Sequence, residues 1–387
     1  MKRALLLLVA LPLAGALVEA SGCGARGSSA KPCDAAQPDA GDGAPSCDQD
    51  GDGYLAVTCG GDDCDDTRND IHPGAPDVCD GDDNDCNGKA DENDACDCKD
   101  PPPKPSLPYA DEVCLKGGWF WMGMGQTDPD AYVFGYTSTP IHHVFVSPYY
   151  LDAYEVTNRR YIACIDAGVC TVDPDPATGK PWDKLAHSTP DTLDRPFIAG
   201  GVLDGEKFCK WAGGWLPSEA QWERAAAGLG DHPRPYPDGS DPPYPSDPPT
   251  CQQEVTADCF PATNDAGAPV LPLVQRVGTK KPNPEGIYDL AGNAMEWTED
   301  IWSPDAYATC PAECKNPCFG CPGSQWGQDG GASALYTNTA RGGSAGVSVQ
   351  LTPDAFRSQL RYFGGGGRGV ELDDQGFRCA YPAKPKK

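Results

Sequence analysis

The sequence GGWLPSEAQWE occupies residues 213–223 and gives the clearest local prediction in the chain. Ser218 is suited to cap a helix, and Gln221 three positions later completes a capping box, in which each side chain bonds the other residue's backbone. Pro217 precedes the cap. The apolar positions then continue through Trp222 to Ala227, and Gly228 predicts the helix end.

Short elements of both kinds surround this helix. Residues 141–146 and 149–154 are predicted as strands, and helices are expected at 159–167 and 204–212. The chain has 46 Gly and 40 Pro, which interrupt every longer pattern. The predicted fold class is therefore α+β with much irregular structure.

The N-terminus resembles an export signal. Lys2 and Arg3 precede an apolar run at 4–17 that is too short for a finished membrane span. Ala20-Ser21-Gly22-Cys23 resembles a lipobox, so we predict a lipoprotein signal peptide at 1–22, with Cys23 as the lipid acceptor. An ordinary cleaved secretory signal is the alternative. The expected location is the bacterial cell envelope, periplasm or outer membrane, with membrane contact only through the lipid.

The charge is concentrated in one part of the chain. Of the formal net charge of −27, residues 34–100 carry −18, from 20 Asp and one Glu against three basic residues. Phosphate backbones would be repelled, which argues against nucleic acid as a partner, whereas cations would be attracted. We divide this region into a flexible tether at 23–46, a Cys/Asp-rich metal-binding module at 47–98 and a Pro-rich linker at 99–111.

Two loops of the module have the spacing of calcium ligands. The first places carboxylates at Asp48, Asp50 and Asp52, with the Tyr54 carbonyl in line and Asp62 or Asp63 as a closing carboxylate. The second offers four side chains, namely Asp80, Asp82, Asn84 and Asp91. The surrounding sequence, CDGDDNDCNG at 79–88, resembles metal-binding repeats of bacterial secreted proteins. A solvated acidic linker is the alternative, and zinc on the cysteines is disfavoured because export favours their oxidation.

Twenty cysteines are best explained by disulfides in an oxidising compartment. Setting Cys23 aside leaves an odd number, and Cys33 is the first candidate for an unpaired thiol. Local bridges are expected for Cys164 with Cys170 and for Cys251 with Cys259. The cluster Cys310, Cys314, Cys318 and Cys321 is interpreted as two disulfides, with a zinc or cluster site as the alternative.

Several ordered motifs together resemble the formylglycine-generating enzyme, or sulfatase-modifying factor, family. They are GGWFWMG at 117–123, DAYEVTN at 152–158, GGWLPSEAQWE at 213–223, GIYDLAGNAMEW at 286–297 and GFRCA at 376–380. The resemblance implies a domain at 112–383, followed by a basic tail at 384–387, with a variant of the C-type lectin fold. It also implies a disulfide between Cys209 and Cys379.

The resemblance further implies a calcium site and a copper site. The calcium ligands would be the Asp289 and Glu296 side chains and the Gly292 and Ala294 carbonyls, a spacing that physical reasoning also allows. Family members hold copper with two cysteines, and these positions fall here on Val347 and Thr352. Neither side chain suits a soft ion, so copper is not expected. Ser344, Arg357 and Arg361 remain as candidate cleft residues.

A sister group of the family uses histidine-bound iron in an added helical domain. This chain has five His, and none has the helical spacing of that domain. His142 and His143 are neighbours in a predicted strand and must point to opposite faces.

These observations favour a calcium-stabilised, non-catalytic binding or scaffold protein for a protein, peptide or glycan ligand. A formylglycine-generating-type oxidoreductase acting on cysteine is the main alternative. A structural calcium-dependent component of the cell surface is a third possibility. Whether the chain is an enzyme stays open at this point, because a fold does not determine a function.

Overall fold

The computed structural model describes most of the chain from Cys47 onward. The described residues are 47–92, 95–98, 107–125, 138–171, 186–198, 201–239, 255–256, 259, 274–310, 314–321, 338–345, 356–363 and 375–383. The expected signal peptide, Cys23, Cys33, the tether, Cys251, Val347, Thr352, the basic tail and most of the Pro-rich linker lie outside them. Within the described residues, no helix has both the length and the apolar character needed to cross a membrane.

In the described residues, the regular structure comprises three small sheets and three α-helices, besides short 3₁₀-helices. The strands are β1 (Glu112–Leu115), β2 (Gly118–Met122), β3 (His142–Val146), β4 (Tyr149–Asp152), β5 (Met295–Ile301), β6 (Cys314–Lys315), β7 (Asn338–Arg341), β8 (Tyr362–Phe363), β9 (Gln375–Gly376) and β10 (Ala380–Pro382). The helices are α1 (Asn158–Asp166), α2 (Val202–Trp211) and α3 (Glu219–Ala227). The α+β prediction, with long irregular connections, is confirmed.

The sheets combine strands that are far apart in sequence. Their orders are β1-β4-β10, β2-β3-β6 and β8-β7-β5-β9. Both neighbours of β4 run antiparallel to it, whereas β6 is parallel to β3 and β9 is parallel to β5. The first and last strands of the domain therefore flank the same central strand.

The helix signals in the sequence operate as predicted. The Ser218 hydroxyl accepts a bond from the Gln221 amide, and the Gln221 side-chain oxygen accepts one from the Ser218 amide, completing the capping box of α3. Thr157 caps α1 by accepting from the Arg160 amide. α3 ends before Gly228 and α2 ends one residue earlier than expected.

Two groups of buried side chains form the core. One is aromatic, with Tyr161 stacked on Phe197 at 3.6 Å between ring centroids and Phe208 and Phe377 packed beside them. The other gathers Phe120, Trp222, Tyr149 and their neighbours between α3 and the first two sheets. Burial of this apolar area is what holds such short elements in place.

Disulfides connect the irregular segments. The predicted Cys209–Cys379 and Cys164–Cys170 bonds are present, and the four-cysteine cluster forms Cys310–Cys314 and Cys318–Cys321, as predicted. Four more bonds, Cys47–Cys59, Cys64–Cys86, Cys79–Cys96 and Cys98–Cys114, secure the module. Cys259 is also disulfide-bonded. Its expected partner, Cys251, lies outside the described residues.

Candidate functional site

The first acidic loop brings its three predicted carboxylates together. Asp48, Asp50 and Asp52 each place an oxygen within 4.8 Å of the others. Each carboxylate also accepts a bond from an amide two or three residues later, at 2.8 to 3.1 Å. Gly51 and Gly53 have positive φ values of 82° and 98°, which a side chain would disfavour. The loop is thus folded around a converging set of oxygens.

Of the two closing carboxylates that the sequence left open, Asp63 is the buried one. Its side chain is 1% exposed, whereas Asp62 is exposed. One oxygen each of Asp50, Asp52 and Asp63 is buried without a hydrogen-bond partner. Loss of solvent raises the pKa of Asp50, and the charges of Asp52, Asp63 and Asp48 raise it further. Converging carboxylate oxygens fit a hard divalent cation.

The second predicted loop is arranged differently. Asp82 pairs with Arg68 at 2.5 Å and with Lys315 of β6. Burial opposes ionisation of Asp82, but these two cations outweigh it and lower its pKa. Asp91 accepts bonds from the Asp80 and Gly81 amides at 3.0 Å, and the buried Asn84 accepts one from the Val78 amide. Protein groups therefore already satisfy much of the predicted ligand set of Asp80, Asp82, Asn84 and Asp91.

A different acidic cluster lies beside that loop. Asp77, Asp85 and Glu92 place carboxylate oxygens within 4.8 Å of one another. Both Asp77 oxygens and one Glu92 oxygen are buried without a hydrogen-bond partner. Burial, followed by the nearby Glu92 and Asp85, raises the pKa of Asp77 to about 6. Sequence spacing did not predict this cluster, because its members do not alternate along the chain. The flanking cysteines, Cys79 and Cys96, are the signal that could have indicated it.

The module packs against the larger domain. Lys315 of β6 reaches Asp82, and the Ser147 hydroxyl donates to the Cys79 carbonyl at 3.1 Å. Cys98 is bonded to Cys114 of β1. The described residues from Cys47 onward belong to one compact unit. The Pro-rich segment therefore connects two parts that are also joined covalently outside it.

Two of the expected calcium ligands of the larger domain bond protein groups. Glu296 is fully buried and accepts from Arg378 at 2.5 and 2.7 Å and from the Trp222 indole at 2.9 Å. Asp289 accepts from the Gly278 amide at 2.7 Å. The predicted ligand set of Asp289, Gly292, Ala294 and Glu296 stays a prediction, in which a calcium ion would share Glu296 with the Arg378 guanidinium.

Glu155 is a third carboxylate in this buried region. Its oxygens accept from the Ala294 amide at 2.9 Å and from the Asn293 side chain at 2.8 Å. Burial raises the pKa of Glu155 well above its ordinary value, and the charges of Asp289 and Glu296 add to this effect. The loop is thus held by a network of carboxylates, amides and one arginine.

The candidate cleft residues are largely part of the core. Arg361 is fully buried and forms a two-pronged pair with Glu219, with its third nitrogen donating to the Ser303 carbonyl at 3.1 Å. Ser344 is also fully buried, and Arg357 is half-buried. Arg361 therefore cannot serve as an exposed wall residue, because its charge is already paired.

The thiols needed for a soft metal are absent from the described part of the chain. Of the 20 cysteines, all except Cys23, Cys33 and Cys251 are described, and each of those 17 is disulfide-bonded. Copper(I) prefers thiolates, and no described residue supplies one.

Both the acidic module and the larger domain are similar to known proteins. Residues 63–92 match a family model for a metal-binding motif of the Cu-binding MopE type. The chain is 30% identical over 230 residues to the formylglycine-generating enzyme of Thermomonospora curvata, covering 51% of this chain and 73% of that protein. It is 26% identical over 292 residues to the serine/threonine-protein kinase pkn1 of Chlamydia pneumoniae, covering 72% of this chain but only 39% of the kinase.

Among solved structures, PvdO from Pseudomonas aeruginosa is similar, with a TM-score of 0.49 and 24% identity over 70% of this chain and 93% of that one. Residues 98–383 match the family model described as the sulfatase-modifying factor enzyme 1-like domain. This match spans most of the chain and includes all ten strands and all three helices. The chain is therefore a member of the sulfatase-modifying factor family, with a metal-binding motif preceding the family domain.

Proposed function

We propose that this protein is an exported lipoprotein whose sulfatase-modifying-factor domain binds or scaffolds a partner and does not carry out the copper-dependent thiol oxidation of its family. The observation that carries the proposal is the replacement of the family's copper-binding cysteine pair by Val347 and Thr352. A valine side chain has no metal-binding atom, and a threonine hydroxyl is a poor ligand for copper(I). Cys23 would carry the lipid, and the ligand would be a protein, peptide or glycan at the cell surface.

Calcium is the proposed metal, and its place is the acidic module. The cluster at Asp48, Asp50, Asp52 and Asp63 offers oxygen donors only, which suits calcium better than a soft transition metal. The cluster at Asp77, Asp85 and Glu92 is the proposed second site. Bound cations would replace the repulsion between carboxylates with attraction and so make the module more rigid.

A second function is favoured by one observation, the 30% identity to a formylglycine-generating enzyme. In this reading the protein is a protein-modifying oxidoreductase that acts on cysteine with displaced metal ligands. The two proposed functions differ in whether the domain retains copper.

The deciding experiment uses the purified full chain. The chain is incubated with Cu(I) and a cysteine-containing sulfatase-type peptide, and mass spectrometry measures aldehyde formation at the cysteine. We expect no copper retention and no aldehyde. A formylglycine-generating enzyme assayed in parallel is the positive control, and aldehyde formation by this chain would reject the binding-only function.

A gain-of-function variant tests whether the missing cysteines are the reason that the chain retains no copper. The double substitution Val347→Cys and Thr352→Cys restores sulfur at both positions, and we expect it to retain about one copper ion per chain. The matched control, Val347→Ser with Thr352→Ser, should retain none. Lipid attachment is tested separately, by loss of a radiolabelled acyl chain in Cys23→Ser.

A further inference from the structure

The Cys318–Cys321 disulfide differs from the other bonds of the larger domain in its surroundings. Only two residues separate its cysteines. Cys318 lines a pocket of about 150 Å³, together with Trp215, Gln221, Glu299, Asn316 and Pro317. Cys310–Cys314, the neighbouring bond, is not among the lining residues of this pocket. One short-range disulfide is thus presented to a cavity that a peptide side chain could enter.

The two cysteines of this bond are not equally buried. Cys318 is half-buried at the pocket, whereas Cys321 is 8% exposed and belongs to the buried set. In thiol–disulfide exchange the incoming thiolate must reach one sulfur in line with the bond, and the other sulfur leaves. The geometry assigns Cys318 as the attacked sulfur and Cys321 as the leaving group.

Two carboxylates lie beside the bond. Glu299 lines the pocket and has an oxygen within 4.8 Å of both sulfurs. Asp300 is fully buried on the other side, accepting from the Glu219 amide at 2.7 Å and the Phe319 amide at 2.8 Å, and one of its oxygens lies 3.7 Å from the Cys318 sulfur. Burial raises the pKa of both groups, with Glu206 adding to the effect on Glu299 and Glu219 to that on Asp300. A carboxylate with a raised pKa is a better proton acceptor than an ordinary one, which suits it to accept and return a proton.

We propose that Cys318–Cys321 is a redox-active disulfide that oxidises a peptide or protein dithiol bound in this pocket. This activity goes beyond the binding role proposed above and needs neither copper nor the positions of Val347 and Thr352. A purely structural staple of the loop is the alternative. The two interpretations differ in whether substrate thiols reach this bond in preference to its neighbours.

The two substrate thiols, the disulfide and Glu299 supply all the electrons and protons that the reaction needs. The first substrate thiol transfers its proton to Glu299 as its sulfur bonds to Cys318, and the Cys318–Cys321 bond breaks. Cys321 leaves with the electron pair and takes the proton from Glu299. The second substrate thiol then attacks the first substrate sulfur, its proton passes through Glu299 to Cys318, and Cys318 leaves. The substrate becomes a disulfide, and the protein pair gains two electrons and two protons in a single turnover.

The first test measures selectivity. The full chain, oxidised, is mixed with a stoichiometric peptide containing two cysteines, quenched with acid at set times and alkylated, and mass spectrometry locates the new thiols. We expect thiols at Cys318 and Cys321 at least tenfold faster than at Cys310 and Cys314, with peptide disulfide forming in equal amount. Equal rates at the two pairs would reject the proposal.

Variants test the roles of the sulfurs and of Glu299. Cys321→Ser leaves a thiol at the pocket, so with the oxidised peptide we expect a mixed disulfide on Cys318, whereas Cys318→Ser should form none. Glu299→Gln should slow exchange about tenfold without changing the final amount of peptide disulfide, and Asp305→Asn, outside the pocket, serves as its control. A mixed disulfide in both cysteine variants, or none in either, would overturn the assignment. Circular dichroism of each variant confirms that it is folded.

Discussion

The guanidinium group of Arg361 binds both carboxylate oxygens of Glu219, at 2.7 and 2.8 Å, and neither side chain is exposed to solvent. The Arg361 guanidinium also lies over the Tyr307 ring, 4.3 Å from its centroid. Strand-bound Arg341, paired with Glu223, is adjacent. The two glutamates of α3 and the two arginines that pair with them thus form a charged layer inside the domain.

Removing one partner from this layer should be costly. We expect Arg361→Met to lower the free energy of unfolding by about 3–5 kcal/mol, because the buried Glu219 would lose its bidentate partner and keep only the more distant Arg341, at 3.7 Å. Arg159→Ala is the control, since Arg159 is partly exposed and Arg276 also pairs with Asp194, so the loss should be about 1 kcal/mol or less. Urea denaturation measures both. A loss below 1 kcal/mol for Arg361→Met would contradict the structure.

The disulfides should differ in their contribution to stability. Cys209–Cys379 closes a separation of 170 residues and Cys164–Cys170 one of six, while all four sulfurs are buried. The chain-entropy relation gives about 5 kcal/mol for the long loop and about 2 kcal/mol for the short one. Double alanine variants of each pair, compared by urea denaturation, should reproduce this order. The reverse order would show that loop length is not the deciding quantity.

Asp63 should contribute to cation binding and Asp62 should not. We expect Asp63→Asn to weaken calcium binding at the first loop at least tenfold, because it removes a buried carboxylate from the oxygen cluster. Asp62→Asn changes the formal charge equally but alters an exposed group. Isothermal titration of the full chain with Ca²⁺, with Cu²⁺ as a comparison, measures both variants. Equal effects would indicate that only the overall charge matters.

The second calcium site can be located by a similar pair. We expect Asp77→Asn to abolish one binding event, because Asp77 has no cation partner, and Asp82→Asn to retain it, because Asp82 is already paired with Arg68 and Lys315. Calcium titration counts the sites in each variant. If only Asp82→Asn lost this binding event, the second calcium site would instead be the loop predicted from sequence, at Asp80, Asp82, Asn84 and Asp91.

His142 should make the protein less stable in acid. Burial, together with nearby Arg361, lowers the pKa of His142 to about 4, below the ordinary value of 6.5. Between these values the unfolded chain binds the proton and the folded chain does not, so stability falls as pH decreases through this window. We expect the loss between pH 7 and 4.5 to be about 2–3 kcal/mol smaller in His142→Gln than in the parent.

The neighbouring histidine provides the control for that measurement. His143 points to the other face of β3 and stacks on Trp119 at 4.7 Å between ring centroids. His143→Gln should keep the parent's dependence on pH. If both variants changed it equally, the effect would not arise from burial of His142.

Local features of the fold were predictable from sequence, because they depend on neighbours in the chain. The capping box at Ser218 and Gln221, the end of α3 before Gly228 and the two short disulfides near residue 315 follow from residues a few positions apart. The first acidic loop is also local, since its glycines and carboxylates alternate within six residues.

The contacts that sequence spacing did not predict involve partners that are remote in sequence. At the second loop Lys315, 233 residues beyond Asp82, supplies a cation. Glu296 is neutralised by Arg378, 82 residues away. Arg361 was placed in a cleft, although Glu219 draws it into the core across 142 residues. Spacing rules describe what a segment could bind, and the tertiary fold decides which charges meet there.

The Cys98–Cys114 bond closes the segment between the acidic module and the first strand of the domain into a covalent ring. A protease that cuts within this ring would leave both pieces attached. Shedding of the module would therefore require reduction as well as cleavage, and a nicked sample would run as a single band on a gel without reductant.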